Sequence, residues 1–254
     1  MARRRTTKRR RRRGRFGFLY KLLSILLIVA AILAACVVFF KIEDVEVLGT
    51  ARYTPEEVVA AAALERGDNL FFLHRAAIVR GILVQLPYVD EINIKRALPD
   101  TLVITITDCV PAACMESEGN WWLIDTKGKL LEQGGASLAE QHAKVTGLTP
   151  ILPSVGSKLA VGDADRNKLQ TLLYLLAALK EREMGAPVTA IDLSQTSAVT
   201  LHYDGRFTVD LPMTADADVL SGKILDLKRT LEVLERNESG NIDLTGERGY
   251  FRPD

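Results

Sequence analysis

The first forty residues contain no aspartate and no glutamate. Eleven of the chain's 33 lysines and arginines lie there, ten of them ahead of Phe16, while all 32 acidic residues come later. The other 22 basic residues leave residues 41–254 with a net charge of −10, although the whole 254-residue chain sums to only +1. Such a basic end and acidic body suit a protein divided by a membrane. Histidine and cysteine are scarce, at three each. His74, His142 and His202 stand far apart and form no HExxH or GxSxG pattern. No Lys or His is placed to activate a serine, Glu116 and Glu118 read as a solvated pair, and Gly147, Gly156 and Gly162 do not make a phosphate cradle. The expectation is a protein that is not an enzyme, with no cofactor and no metal.

What is present begins with Leu22–Phe40, 19 residues without a charge. As a helix it spans about 28 Å, close to the roughly 30 Å hydrocarbon core of a bilayer. Lys21 and Lys41 close its ends, where their stems can snorkel. Arg9, Arg10, Arg11, Arg12, Arg13 and Arg15 are the topology signal, placing the N-terminus in the cytoplasm and the body outside. The same arm attracts anionic membrane lipid. With no aromatic groups or folded scaffold beside the arginines, no specific nucleic acid is expected. Leu33-Ala34-Ala35-Cys36 also reads as a lipobox, so the alternative is a lipoprotein or envelope-assembly factor with a small binding module, cleaved before Cys36. Against cleavage, Val37-Val38-Phe39-Phe40 would follow the lipidated cysteine where a polar tether is usual. A retained single-pass anchor is the reading adopted. Cys109 and Cys114 then lie on an oxidising side, where a disulfide and a buried free pair both fit.

The expected fold class is α+β: a single N-terminal transmembrane helix, a β-α-α-β-β module, then a mixed α+β domain with an antiparallel-rich sheet and two long helices. The divisions are a basic cytoplasmic arm (1–18), the transmembrane helix (19–40), the small module (41–110) and the larger domain (111–254). "IEDVEVLG" alternates as a strand ending at Gly49. Thr54, Pro55, Glu56 and Glu57 open a helix that Gly67 stops. A second helix runs from about Arg75 to Gln85, followed by strands "YVDEINIKR" and "TLVITIT" around the turn "ALPD". Beyond Pro111, "NWWLIDTKGKLLEQ" is a hairpin turning at Asp125–Gly128. A helix from about Asp163 carries Leu169, Leu172, Leu173, Leu176 and Leu179 on one stripe. In "SAVTLHYDGRFTVDL" a Tyr203-Asp204-Gly205 loop sets Leu201 opposite Phe207 and Val199 opposite Val209. A last helix, about Asp216 to Arg236, places Leu220, Ile224, Leu227, Leu231 and Leu234 toward the core. "NIDLTGERGYFRP" is one final strand.

The order strand–"LG"–"YTPEEVV"–"GDNLFFL"–"LPYVDEINIKRALPDTLVITI" resembles the POTRA domain of the FtsQ/DivIB cell-division family. "WWLIDTKGKLLE" and "IDLSQTSAVTLHYDGRFTVDL" are similar to the same family's β domain, and the likeness runs over nearly all of residues 16–252. It departs where Asp108-Cys109 replaces a charged pair, in the arginine-rich arm, and at Asp254, where the tail of many Gram-positive members would follow. The resemblance implies a non-enzymatic bitopic scaffold of the divisome, enriched at the septum, that regulates septal peptidoglycan synthesis through protein contacts. It implies partners of the FtsB/DivIC and FtsL type at the C-terminal strand. The matching partner-binding positions are Asn241, Asp243, Thr245, Arg248, Tyr250 and Phe251, with Tyr250 and Phe251 as the large apolar anchors.

Overall fold

A computed structural model describes residues 16–235 and 237–254. The six arginines of the topology signal lie outside the described residues. Helix α1, Phe16–Phe39, has 24 residues, about 36 Å of rise. It starts three residues ahead of the expected boundary, so Lys21 lies inside its first two turns. Ser24, the polar side chain within the apolar stretch, donates to the Tyr20 carbonyl at 2.8 Å, so it adds no unpaired group. Residues 18–39 are long and apolar enough to cross a membrane, and the apolar window is not buried inside the rest of the protein.

The small module consists of β1 (Asp44–Leu48), α2 (Pro55–Ala61), α3 (Arg75–Gln85), β2 (Val89–Ala97) and β3 (Thr101–Asp108). Its sheet runs β1-β3-β2, with β1 parallel to β3 and β2 antiparallel to it. Helix α2 opens on a complete capping box: the Thr54 hydroxyl accepts from Glu57 N–H, and the Glu57 carboxylate accepts from Thr54 N–H. The helix ends at Ala61 rather than near Gly67, because Ala63 turns into the left-handed region at φ 49°. Val58, Leu70, Ile82, Leu102 and Ile104 are fully buried between the helices and one face of the sheet. Gly49 ends β1 at φ 87°, where a Cβ would stand 2.3 Å from the Ile106 carbonyl oxygen, so no other residue fits that crossing without movement.

The larger domain adds β4 (Pro111–Ser117), β5 (Asn120–Asp125), β6 (Leu130–Gly134), α4 (Ala136–Gln141), β7 (Ala143–Thr146), α5 (Arg166–Glu181), β8 (Val188–Asp192), β9 (Ala198–Tyr203), β10 (Phe207–Pro212), α6 (Ala217–Val233), β11 (Gly240–Asp243) and β12 (Tyr250–Pro253). Nine strands form one sheet in the order β12-β11-β10-β9-β8-β7-β4-β5-β6. Antiparallel pairs outnumber parallel ones, which are β4–β7, β7–β8 and β10–β11. Helices α5 and α6 pack together on a core with Leu172, Leu175, Ile224 and Leu227 fully buried against Val199, Leu201 and Val209.

The sequence reading contains neither β4 nor β7. Strand β4 is buried on both sides: Ala113 and Met115 face the main core, whereas Cys114 joins a smaller cluster with Tyr88, Cys109, Leu123, Leu131 and Ala139. Burial on both faces erases the alternation that marks a strand. Cys109 and Cys114 are both buried and free. His142 stands at the end of the short helix α4, not in an open loop.

The β9–β10 register also differs from expectation. Tyr203 opposes Phe207, Leu201 opposes Val209 and Val199 opposes Leu211. Asp204 and Gly205 both take positive φ, 55° and 64°, and Arg206 N–H bonds back to the Tyr203 carbonyl at 3.2 Å. The loop is therefore Asp204-Gly205-Arg206, built on a type I′ turn. Alternation determines register only to within two residues. The observed choice pairs Val199 with Leu211, whereas the expected one puts Ser197 there.

Candidate partner-binding edge

The end of the chain is a hairpin rather than the single strand expected from Asn241 to Phe251. Strand β11 enters parallel to β10, with Phe207 beside Gly240 and Val209 beside Ile242, after α6 makes the crossover that parallel strands require. Residues 244–249 then reverse the chain, and β12 returns antiparallel, pairing Asn241 with Arg252 and Ile242 with Phe251. Strand β11 is thus paired on both sides, and the outer edge belongs to β12. Gly240 makes the close pairing possible: at φ 150°, a Cβ there would lie 2.1 Å from the Arg252 carbonyl oxygen.

The expected partner-binding residues divide by this geometry. Ile242 and Leu244 are buried, so Asn241 and Asp243 point to the opposite side. Asn241 Nδ2 donates to Asp210 Oδ2 at 2.9 Å, tying β11 to β10. Asp243 accepts from the Thr245 hydroxyl at 2.7 Å and from Thr245 N–H at 3.0 Å. Those two bonds hold its carboxyl below the usual range. Asp243 and Thr245 therefore shape the turn into β12. Arg248 is exposed within that turn. Phe251 packs its ring edge-on to Phe207, centroids 6.3 Å apart, so as an anchor for a partner it is largely spent on the protein's own core. Tyr250, on the other face of the strand, is 60% exposed.

Asp254 N–H bonds to the Ser239 carbonyl at 3.2 Å. Alternation along the ladder then turns Arg252 and Tyr250 toward β11 for backbone bonding. Phe251 N–H and C=O, together with the Pro253 carbonyl, point outward. An incoming strand finds one donor and two acceptors, flanked by the Tyr250 ring.

A second polar structure, not legible in the sequence, lies at the join between the two sheets. Tyr88 donates its hydroxyl to Glu132 Oε2 at 2.5 Å while the Arg52 guanidinium lies 3.6 Å over its ring. Lys127 Nζ meets Asp90 at 2.8 Å and Glu91 at 3.3 Å, and Lys129 Nζ donates to the Val89 carbonyl at 2.8 Å. Burial first, then the Glu132 bond, pushes the Tyr88 phenol up to about 12. Burial, reinforced by Asp125, pushes the Cys109 thiol up to about 12, and burial alone raises Cys114 to about 11. Asp90, Cys109 and Asp125 come within 4.8 Å of one another. With Lys127 paired to Asp90, and Asp125 accepting backbone N–H groups of Lys127 and Lys129 at 2.8 and 2.7 Å, the arrangement is a clasp of turn and strand.

An N-terminal apolar helix, a βααββ module and a mixed sheet with an open final strand define a POTRA protein with an appended β domain. The family model described as POTRA domain, FtsQ-type, matches residues 40–108, and that described as cell division protein FtsQ/DivIB, C-terminal, matches residues 113–245. The chain belongs to the FtsQ/DivIB family of cell division proteins. It is 29% identical over 133 residues to the cell division protein FtsQ of Corynebacterium glutamicum, covering 52% of this chain and 60% of that one. To the cell division protein DivIB of Clostridium acetobutylicum it is 24% identical over 171 residues, covering 67% of each. To DivIB of Clostridium botulinum it is 22% identical over 209 residues, 82% of this chain and 80% of the other. The chain thus spans between about three fifths and four fifths of these relatives' lengths. The solved extracytoplasmic domain of DivIB from Geobacillus stearothermophilus aligns at 12% identity and a TM-score of 0.30, over 51% of this chain and 99% of that one.

Proposed function

We propose that this protein is a non-catalytic, single-pass scaffold of the bacterial divisome that receives a strand from a membrane-anchored partner along the outer edge of β12. The observation that carries the reading is the four-residue β12, open on one side with Tyr250 exposed beside it. Main-chain bonds along such an edge set register, and the flanking side chains select the partner. Partners of the FtsB/DivIC and FtsL type fit this mode, and their capture at the septum would couple the scaffold to regulation of septal peptidoglycan synthesis. The POTRA module serves recruitment. The arginine arm holds the N-terminus in the cytoplasm against anionic lipid. Against the lipoprotein reading, α1 continues unbroken through Cys36 to Phe39.

The test is an N-terminal fluorescent fusion imaged in dividing cells, paired with co-purification of the FtsB/DivIC-type partner. A midcell band together with partner capture that Tyr250→Ala weakens supports the reading. Uniform membrane fluorescence sinks the division role, and undiminished capture by Tyr250→Ala sinks the edge. Truncation from residue 240 is a poor substitute, because it strips Ile242 and Leu244 from the core.

A further inference from the structure

We infer that the connector Asn69–Leu73 and the β2–β3 turn form an interfacial anchor that seats the POTRA module on the lipid surface; this rests on the reading of α1 as a membrane span. The connector is bonded to the chain as it leaves that helix. Asn69 Nδ2 donates to the Cys36 carbonyl at 2.8 Å, satisfying one of the acceptors a helix end leaves open. Leu70 N–H bonds to the Phe40 carbonyl at 2.9 Å, and Ile42 N–H to the Asp68 carbonyl at 2.8 Å. Leu70 is fully buried in the POTRA core and pins the connector from the module's side. A helix end stitched to a folded domain in this way transmits its orientation with no free joint.

The same end of the module exposes apolar surface. Phe71 and Phe72 are 42% and 59% exposed, and Leu98, at the tip of the β2–β3 turn, is 60% exposed. Phe71 is contiguous with the end of α1: the Phe40 and Phe71 rings meet edge-on at 5.0 Å, and Phe39, the last helical residue, is itself 73% exposed. The turn is held to the same end of the module by Glu43 N–H donating to the Asp100 carbonyl at 3.0 Å. Arg96 places its guanidinium 5.4 Å from the Phe71 ring centre. Aromatic rings beside a cation, directly adjoining a span of membrane length, have the chemistry of the interface, where rings lie among the headgroups and cations meet phosphates. The continuity with α1 commits this surface to lipid, since any bilayer that α1 crosses begins where Phe39 and Phe40 end.

The full chain in nanodiscs of phosphatidylcholine and phosphatidylglycerol with acyl-brominated lipid tests this by tryptophan quenching. Phe72→Trp, Leu26→Trp and Val233→Trp are each read as the increment over the parent chain with its own Trp121 and Trp122. The expected result is strong quenching of Leu26→Trp, with Phe72→Trp quenched at least about twofold more than Val233→Trp on the far helix. Phe72→Trp quenched no more than Val233→Trp, with Leu26→Trp still quenched, would overturn the anchor, keep the span and leave the patch to a protein contact. An unquenched Leu26→Trp would overturn the span and the anchor together.

Discussion

The nine-stranded sheet ends in two short strands that the chain treats in opposite ways. At one end β6 is covered: Leu130 exchanges backbone bonds with Ser157 and Gly156 at 2.8 and 2.7 Å, and Glu132 accepts the Tyr88 hydroxyl from the POTRA module. At the other end β12 has β11 on its inner side and nothing on its outer side among the described residues. A bare edge invites association with any passing strand, and proteins ordinarily close or charge such edges. Here the closed edge is the one that joins the two domains. The open edge is only four residues long, ends in Pro253, which has no N–H to offer, and is flanked by Arg248 and Arg252. It is an edge with restricted access, which suits one partner better than self-association.

The largest effects are expected beneath the strands, where the two ends are alike. Leu130→Ala and Ile242→Ala each remove a fully or almost fully buried side chain and are expected to cost about 2–5 kcal/mol, read as a lowered midpoint in urea denaturation. Only Ile242→Ala should also weaken the captured partner, because it loosens β11 behind the open edge. Equal loss of partner binding from both variants would break the comparison. Next comes Tyr250→Ala, expected to lower partner affinity by about 2 kcal/mol, roughly 30-fold, in a titration calorimeter. Its stability should stay within about 0.5 kcal/mol of the parent, since the side chain is 60% exposed. Glu132→Ala, at the closed end, should leave partner affinity unchanged.

How much of this was legible follows from which contacts are local. The POTRA module could be read because its signals are short-range: Thr54 to Glu57 is a four-residue box, and Ile78, Ile82 and Leu86 repeat at helical spacing. The long helices announced themselves the same way. Strand β4 did not, because burial on both faces removes the period-two pattern, and β7, though it alternates, is only four residues long. The parity of β9–β10 was legible in Val199, Leu201, Phe207 and Val209, while its phase depended on the positive φ of Asp204. The C-terminal segment reads as one strand in the sequence and is a hairpin in the structure, which moves the outer edge to β12. Gly246 and Gly249 within "TGERG" were the available turn signal that splits β11 from β12. The closed edge was illegible, since Tyr88–Glu132 and Lys127–Asp90 join residues 44 and 37 positions apart.

Two smaller effects sharpen the contrast through pH. At the closed end, Tyr88→Phe deletes the bond to Glu132 and should cost about 1 kcal/mol near neutrality. A phenol raised from 10.0 to about 12 contributes stability that is fully present below pH 10 and lost as pH rises toward 12. Stability measured across that window should fall less steeply in Tyr88→Phe. It should not become flat, because Cys109 and Cys114, raised to about 12 and about 11, lose their contributions over an overlapping range. At the open end the sign reverses. Asp243 is held below its ordinary 3.8 by Thr245, so its contribution is present above that value and lost as pH falls through the lowered one. Thr245→Val removes the hydroxyl bond at 2.7 Å but keeps the backbone N–H, and should return the Asp243 titration only part of the way, as followed by carboxyl NMR shifts. No movement of that titration would mean that the turn into β12 is held by its glycines and backbone alone, and that Asp243 is free to meet a partner directly.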